Sequence, residues 1–558
     1  MNSLDACLRS YFTRGLFFLP YLALYLAFWY AEWPVLTLRH AFWGLHAAHL
    51  AGAAYTWRAW RPNSDALFWV ALGAFFFFPG PYLEFPSDGW EHWDRVFSWD
   101  FAHIIPEHGT RTRFAYFWNW TWLGTLPLGS RFFGASVLTA FWQLAISYGF
   151  YRLLRRLQIP ANLARVQVLA AVLFFGNSLF GIRYYALASM PMAYVFYLLS
   201  LVALIDALEG KWRTLTLIPL YVLGIYYNHY QELLFLAVAG TALVAYYGLR
   251  GRVPLRLPHP GWAFVVSLLL IALGTSFFRS WRPSYGRTWD ALAVPGAIGV
   301  VWALARYRVY PAFTVLTAAP VFFLLFPPLG WIAVRLMIQD SGDMYRLLYT
   351  FPPAFAFGWA VCAAVERWTP KLPTIGVCCG LLLALSLVWV KPWRGRGMFQ
   401  LYEPKAFSQL AWLHPTIEWF RANESLGNRT HCRLASDNVT TFGLRAAVWY
   451  DFALPAEPLR RTVVSVFDDL DSVEAFQTWI ARDWICGLLL VDPVTRERLN
   501  APASWIGRNS GHWPPGFLGS AFHVPDRIYR FAERLSQQGW KSQTVPPFYT
   551  LWLAPQRP

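Results

Sequence analysis

ALFWVALGAFFFFPGPYLEFPSDGWEHWDRVFSWDFAHIIPEHGTRTR, residues 66–113, changes character abruptly after Leu83. Residues 66–83 carry no charge, a run close to the roughly 20 apolar residues that cross the hydrocarbon core of a bilayer. The segment 84–113 then gathers Glu84, Asp88, Glu91, Asp94, Asp100 and Glu107 with His92, His103 and His108. An uncharged span opening into an acidic loop is a membrane-protein junction, and the rest of the chain is read outward from it.

On either side of this junction the same kind of run recurs, near 12–31, 35–57, 131–151, 164–183, 186–205, 214–229, 231–248, 261–278, 291–305, 310–335, 345–364 and 373–390. With 66–83 this makes about 13 expected transmembrane helices. The composition agrees: of 558 residues, 56% are hydrophobic and only 14% charged, too greasy for ordinary soluble domains. The first run is followed at once by Glu32, Trp33 and Pro34 without a small-residue cleavage pattern, so it reads as a retained helix. The net charge of +16 is dispersed in short clusters at span ends, which fits membrane lipids and topology and argues against a nucleic-acid partner.

Those clusters fix an orientation. Arg9 with Arg14, Arg58 with Arg61, the trio Arg152, Arg155 and Arg156, Lys211 with Arg213, the trio Arg250, Arg252 and Arg256, Arg306 with Arg308, and Arg367 with Lys371 all fall on the same side. By the positive-inside bias that side is cytoplasmic, together with the N-terminus. Of the 16 acidic residues before position 390, six lie in the loop 84–113, and Glu232, Asp290, Asp340 and Asp343 lie at other outer ends. Thirteen crossings put the C-terminus outside, in the periplasmic or extracellular space.

After Lys391 the sequence becomes mixed and charged. A transmembrane helical domain over 1–394 is thus expected to be followed by a soluble extracytoplasmic domain over 395–558. There, helical periodicity in FSQLAWLHPTIEWFRAN and VEAFQTWIARDW alternates with strand-like RLASD, TVVSVF, GLLLVD and YTLWLA, which predicts a small α/β domain. The fold class is therefore a polytopic α-helical membrane protein with a C-terminal α/β extracytoplasmic domain.

On a helix, Asp88 and Glu91, Glu91 and Asp94, and Asp88 and His92 would share one face of the acidic loop, with Trp90, Trp93, Phe97 and Phe101 on the other. The plain reading is a surface helix anchored by its aromatic residues. The chemical reading makes one carboxylate a general base, since neighbouring acids raise its pKa towards a useful range. Asp88, held in a turn between Pro86 and Gly89, is the first choice, with Glu91 and Asp94 behind it.

Charged groups beside spans are costly, and so are functional candidates. On the outer side these are Arg183, His229 with Glu232 in YNHYQE, Arg279, Arg282 and Arg287, Arg335, and Arg346 in DSGDMYRLLY. A guanidinium fork suits a phosphate and neutralises a phosphate leaving group. Any single arginine has an ordinary alternative, pairing inside the bundle or snorkelling to headgroups. Most of the 32 tryptophans and 28 tyrosines belong to interface belts; Trp90, Trp93, Trp99, Trp118, Trp120 and Trp122 crowd the candidate site and are the ones considered for substrate contact.

No G-x-x-x-x-G-K-[ST], strand-borne G-x-G-x-x-G or H-E-x-x-H occurs, so nucleotide-driven transport, dinucleotide chemistry and zinc peptidase chemistry lack their signals. The six cysteines show no paired spacing for zinc. Cys432 and Cys486 fall in the soluble tail and are the pair to be joined in an oxidising compartment, the alternative being two buried thiols.

The whole layout, a multispanning bundle with an early acidic outer loop and a soluble mixed domain at the far end, resembles the GT-C superfamily of polyprenyl-phosphate-sugar-dependent glycosyltransferases. The resemblance is architectural. It differs in placing the acidic loop after the third span, not the first, and in lacking an adjacent Asp-Glu pair. It implies a base in the loop, here Asp88, Glu91 or Asp94, and a lipid phosphate met by cationic groups or a divalent metal ion (Mg or Mn); no protein ligands for a metal are assigned. The implied partners are a polyprenyl-phosphate-linked sugar donor and an extracytoplasmic glycan, lipid or protein acceptor, in the bacterial inner (plasma) membrane. His92, Arg183, His229, Glu232, Arg279, Arg282 and Arg346 are the expected substrate and phosphate contacts. Two other readings stand beside it: a flippase or transporter of lipid-linked sugars, and an O-antigen polymerase or ligase.

Overall fold

A computed structural model of the chain describes residues 3–31, 35–57, 64–77, 92, 95–96, 113–126, 131–175, 187–250, 282–325, 341–369, 373–389, 414–423, 433–436, 440, 463–465, 472–482, 485–495 and 526–555. The protein is mostly helical, with apolar helices followed by a small C-terminal sheet. It divides into two compact units. The first takes in Met1–Pro81, Glu107–Thr121 and Ala135–Leu401, and the second Tyr82–Pro106, Trp122–Gly134 and Tyr402–Pro558.

Up to Phe175 the chain runs through α1 (Ser3–Thr13), α2 (Phe18–Ala31), α3 (Val35–Trp57), α4 (Ser64–Phe77), α5 (Phe114–Leu123), α6 (Arg131–Arg156) and α7 (Ala161–Ala170), which continues as a π turn to Phe175; all of this belongs to the first unit except the end of α5 from Trp122 and the start of α6 to Gly134. It goes on through α8 (Met190–Leu208), α9 (Ile218–Tyr226), α10 (Gln231–Leu249), α11 (Arg282–Ala305), α12 (Pro311–Leu325), a 3-10 segment (Ser341–Thr350), α13 (Ala354–Trp368) and α14 (Thr374–Trp389). By length and composition, and among the described residues, α8 and α10 are long and apolar enough to cross a membrane. A third span arises if α1 and α2 count as one broken crossing; shorter apolar helices occupy other expected runs.

Two departures from the sequence reading have physical causes. The run 12–31 does not form one straight helix, because α1 stops at a left-handed Gly15 (φ +66°) and the chain bends by 59° before α2. Gly15 N–H donates to the Phe12 carbonyl and Leu16 N–H to the Tyr11 carbonyl, the paired bonds that close a helix through a C-terminal glycine. The second departure is α5, just after the acidic loop, which was not counted among the runs. Its ten residues span only about 15 Å, too short to cross alone. Phe114 to Thr121 are nonetheless buried, with Phe117 edge-on to Phe42 and Trp118 packed on Phe18 and Trp142. Trp118 and Trp120 are themselves buried, Trp118 between Phe18 of α2, His46 of α3 and Trp142 of α6, and Trp120 against Phe117 and under the Arg39 guanidinium of α3.

Polar side chains within this apolar packing are joined into a chain. Thr121 Oγ donates to the Trp118 carbonyl (2.7 Å), so it accepts from His46 Nε2 (2.9 Å). His46 Nδ1 then accepts from the Tyr21 hydroxyl (2.8 Å), which accepts from His49 Nδ1 (3.0 Å), whose Nε2 accepts from Tyr11 (2.9 Å). One carbonyl thus sets both histidine tautomers. Removing the central hydroxyl by Tyr21→Phe deletes one hydrogen bond of each imidazole, and is expected to cost about 1–3 kcal/mol, read as a lower thermal midpoint in detergent.

On the side carrying the Arg152 to Arg156 cluster, Asp206 near the end of α8 pairs with Arg156 (3.1 Å) and Lys211 (3.2 Å). Close helix approach is set by glycine: an added Cβ at Gly299 on α11 would lie 2.5 Å from the Pro353 carbonyl oxygen and 2.6 Å from the Phe357 nitrogen. One at Gly358 on α13 would lie 2.9 Å from Gln167 Cα of α7. Small residues of this kind let helix backbones touch where lipid supplies no hydrophobic drive.

The second unit holds α15 (His414–Ala422), β1 (Arg433–Ser436), β2 (Val463–Ser465), α16 (Val473–Arg482), β3 (Ile485–Val491), α17 (Asp526–Gln537), β4 (Lys541–Val545) and β5 (Tyr549–Leu553). The strands form one mixed sheet in the order β2-β1-β3-β5-β4, with β2, β1 and β3 parallel and β5 antiparallel to both β3 and β4. Phe476 and Trp479 of α16 and Ile528, Phe531, Ala532 and Leu535 of α17 form a core with Ala435, Leu488 and Leu490 of the sheet. Cys486 on β3 is disulfide-bonded, whereas Cys7, Cys362, Cys378 and Cys379 are free thiols; Cys432 lies outside the described residues.

Candidate functional site

Polar groups of the first unit collect where α9 ends and α10 begins, in YNHYQE. Asn228 organises the turn: its Nδ2 donates to the Gly224 carbonyl (2.7 Å) and its Oδ1 accepts from the Ala115 N–H (2.7 Å). The Phe114 N–H donates to the Tyr227 carbonyl (2.9 Å). Two amides at the start of α5, which have no partner within their own helix, are thereby satisfied from the α9–α10 turn. Arg113, the last residue of the acidic loop, reaches Ser189 Oγ (3.4 Å) at the start of α8.

Glu232 sits in the first turn of α10, where the helix dipole favours an acid. Its side chain is 0% exposed, and its Oε2 accepts from His229 Nδ1 at 2.7 Å, the imidazole being 16% exposed. Oε1 has no hydrogen-bond partner among the described residues. Tyr194 and Tyr197 of α8 lie within electrostatic reach of this carboxylate, and their hydroxyls donate to the Tyr349 and Thr350 carbonyls of the 3-10 segment. From the same segment Arg346 Nη1 donates to Gln231 Oε1 at 3.1 Å, so a guanidinium is tied to the residue directly before Glu232.

Of the residues predicted from sequence, His229 and Glu232 are in contact, and Arg346, over a hundred positions further along the chain, is brought to Gln231 of the same turn. Arg282 opens α11, and His92 is half-buried in the second unit. Asp88, Glu91, Asp94, Arg183 and Arg279, with Trp90, Trp93 and Trp99, lie outside the described residues. Sequence reasoning missed Arg113, Ser189, Asn228 and Gln231; the signal for two of them was present, since Asn228 and Gln231 stand inside the same YNHYQE as the charged pair. Among the described residues no three of His, Cys, Asp and Glu come together to hold a metal ion.

Chemically, an imidazole oriented by a buried carboxylate can accept a proton, and an arginine tied to Gln231 of the same turn can meet an anion. No protein-family model, curated protein or solved structure matches the chain.

Proposed function

We propose that this protein is a GT-C-type membrane glycosyltransferase that moves a sugar from a polyprenyl-phosphate donor to an extracytoplasmic glycan, lipid or protein acceptor, with inversion at the anomeric carbon. Its 13 crossings would lie in a bacterial inner membrane, with the N-terminus cytoplasmic and the C-terminal α/β domain outside. The observation that carries this reading is the buried His229–Glu232 pair at the start of α10 with Arg346 hydrogen-bonded to Gln231 of the same turn, a group for a hydroxyl and a cation for a phosphate. Arg183, Arg279 and Arg282 would complete the cationic cradle from the same side. The disulfide at Cys486 supports an oxidising compartment for the sheet domain.

Transfer requires a base at the acceptor hydroxyl. The acidic loop offers Asp88, Glu91 and Asp94, and the α9–α10 turn offers His229 with Glu232. A carrier of lipid-linked sugars is the second reading, and the buried chain from Tyr11 to Thr121 favours it, since polar groups deep in a bundle are what a translocation path uses. Mass analysis of surface glycans from a deletion strain separates the two. Loss of a single residue mass is the expected result; loss of whole chains points instead to export or polymerisation, and unaltered glycans remove the transferase reading.

A further inference from the structure

We propose that His229, oriented by Glu232, is the proton acceptor of the transfer reaction; this rests on the transferase reading above. The argument begins with the buried carboxylate. A side chain with 0% exposure has no water to solvate it, so its charge must be met within the protein, and the contact in place is His229 Nδ1 at 2.7 Å. An ionised Glu232 accepts and does not donate, so in the proposed resting pair Nδ1 carries the hydrogen and the lone pair of the ring lies on Nε2. The imidazole is 16% exposed while its carboxylate is 0% exposed, so of the two it is the ring that solvent reaches.

The ring is also held in place. His229 N–H bonds to the Ile225 carbonyl (2.8 Å), and the imidazole stacks near-parallel on Tyr230 (19°, centroids 6.2 Å). Asn228 ties the same turn to Gly224 and Ala115. This is the division of labour of a carboxylate-oriented imidazole base, in which the acid fixes the tautomer and stabilises the cation that forms. The unpartnered Oε1 of Glu232 is a second mark of a site for a polar ligand, since a buried acceptor without a hydrogen bond is costly.

In the step, the acceptor hydroxyl gives its proton to Nε2 as its oxygen bonds to the anomeric carbon. The bond from that carbon to the phosphate oxygen breaks, and its electron pair leaves with the lipid phosphate, whose charge meets Arg346. His229 becomes imidazolium against Glu232, then returns the proton to water.

The test is complementation of the deletion strain, read as the rate at which the missing sugar mass reappears, with membrane abundance checked by immunoblot. His229→Asn keeps an amide donor in place of Nδ1, so Glu232 retains its partner, but removes Nε2. It is expected at wild-type abundance with transfer reduced about 10²- to 10⁴-fold. His229→Ala is expected to regain transfer when imidazole is added to the medium. Undiminished transfer in the Asn variant overturns the proposal while leaving the transferase reading intact. A loss in the Asn variant that imidazole does not lift in the Ala variant makes His229 merely structural and overturns it too. A deletion strain with unaltered glycans removes both.

Discussion

Gly299→Ala is expected to destabilise the helical unit by about 2–3 kcal/mol, reversing the sign that helix propensity alone gives. In an open helix position, glycine to alanine stabilises by roughly 0.5–1 kcal/mol. At Gly299 the new Cβ would meet the Pro353 carbonyl oxygen at 2.5 Å and the Phe357 nitrogen at 2.6 Å. Both are backbone atoms, so no rotamer change relieves the contact and α11 and α13 must move apart, at the cost typical of overpacking. Gly376 on α14 is the control, since nothing lies within 4 Å of a Cβ added there. Thermal midpoints of the two alanine variants in detergent should move in opposite directions; a Gly299→Ala protein as stable as the Gly376→Ala protein refutes the close crossing.

The second large effect is expected from Cys486→Ser, which removes the disulfide on β3. Native disulfides in small domains contribute roughly 2–5 kcal/mol. β3 is central to the sheet, paired with both β1 and β5, and it supplies Leu488 and Leu490 to the core under α16 and α17. Loosening it exposes a whole domain and not an edge. Limited proteolysis of intact membranes should show the C-terminal domain cleaved much faster in the Ser variant, with the helical unit unchanged. Equal protection of the two proteins rules out a stabilising bond at this position.

The sequence made the apolar elements legible because their signal is local. The run 35–57 coincides with α3, RLASD, TVVSVF and YTLWLA each contain a strand, and GLLLVD covers β3 from Gly487 on. What it hid depends on context. The bend at Gly15 lies inside a continuous apolar run, and hydropathy does not register a positive φ. The ten-residue α5 is too short for a span-length window, and β4, KSQTV, has no apolar alternation and is placed by its hairpin with β5. Helix α17, with its alternation of arginine and apolar residues, went unnoticed among charged sequence. At the site, residue type sufficed to single out His229, Glu232 and Arg346, since charge beside a span is rare. Asn228 and Gln231 are uncharged, and their roles come from partners at Ala115 and Arg346 that only the folded chain supplies.

The glycine contacts carry a mechanical consequence. With Gly299 set against the backbone before and within α13, and Gly358 set against α7, these three helices have no slack between them and must travel as a rigid block. Any rearrangement of the helical unit must therefore flex elsewhere, and the break between α1 and α2 is itself tied down, with Gly15 packed on Leu199 of α8 and the Arg14 carbonyl held by the Tyr221 hydroxyl of α9 (2.7 Å).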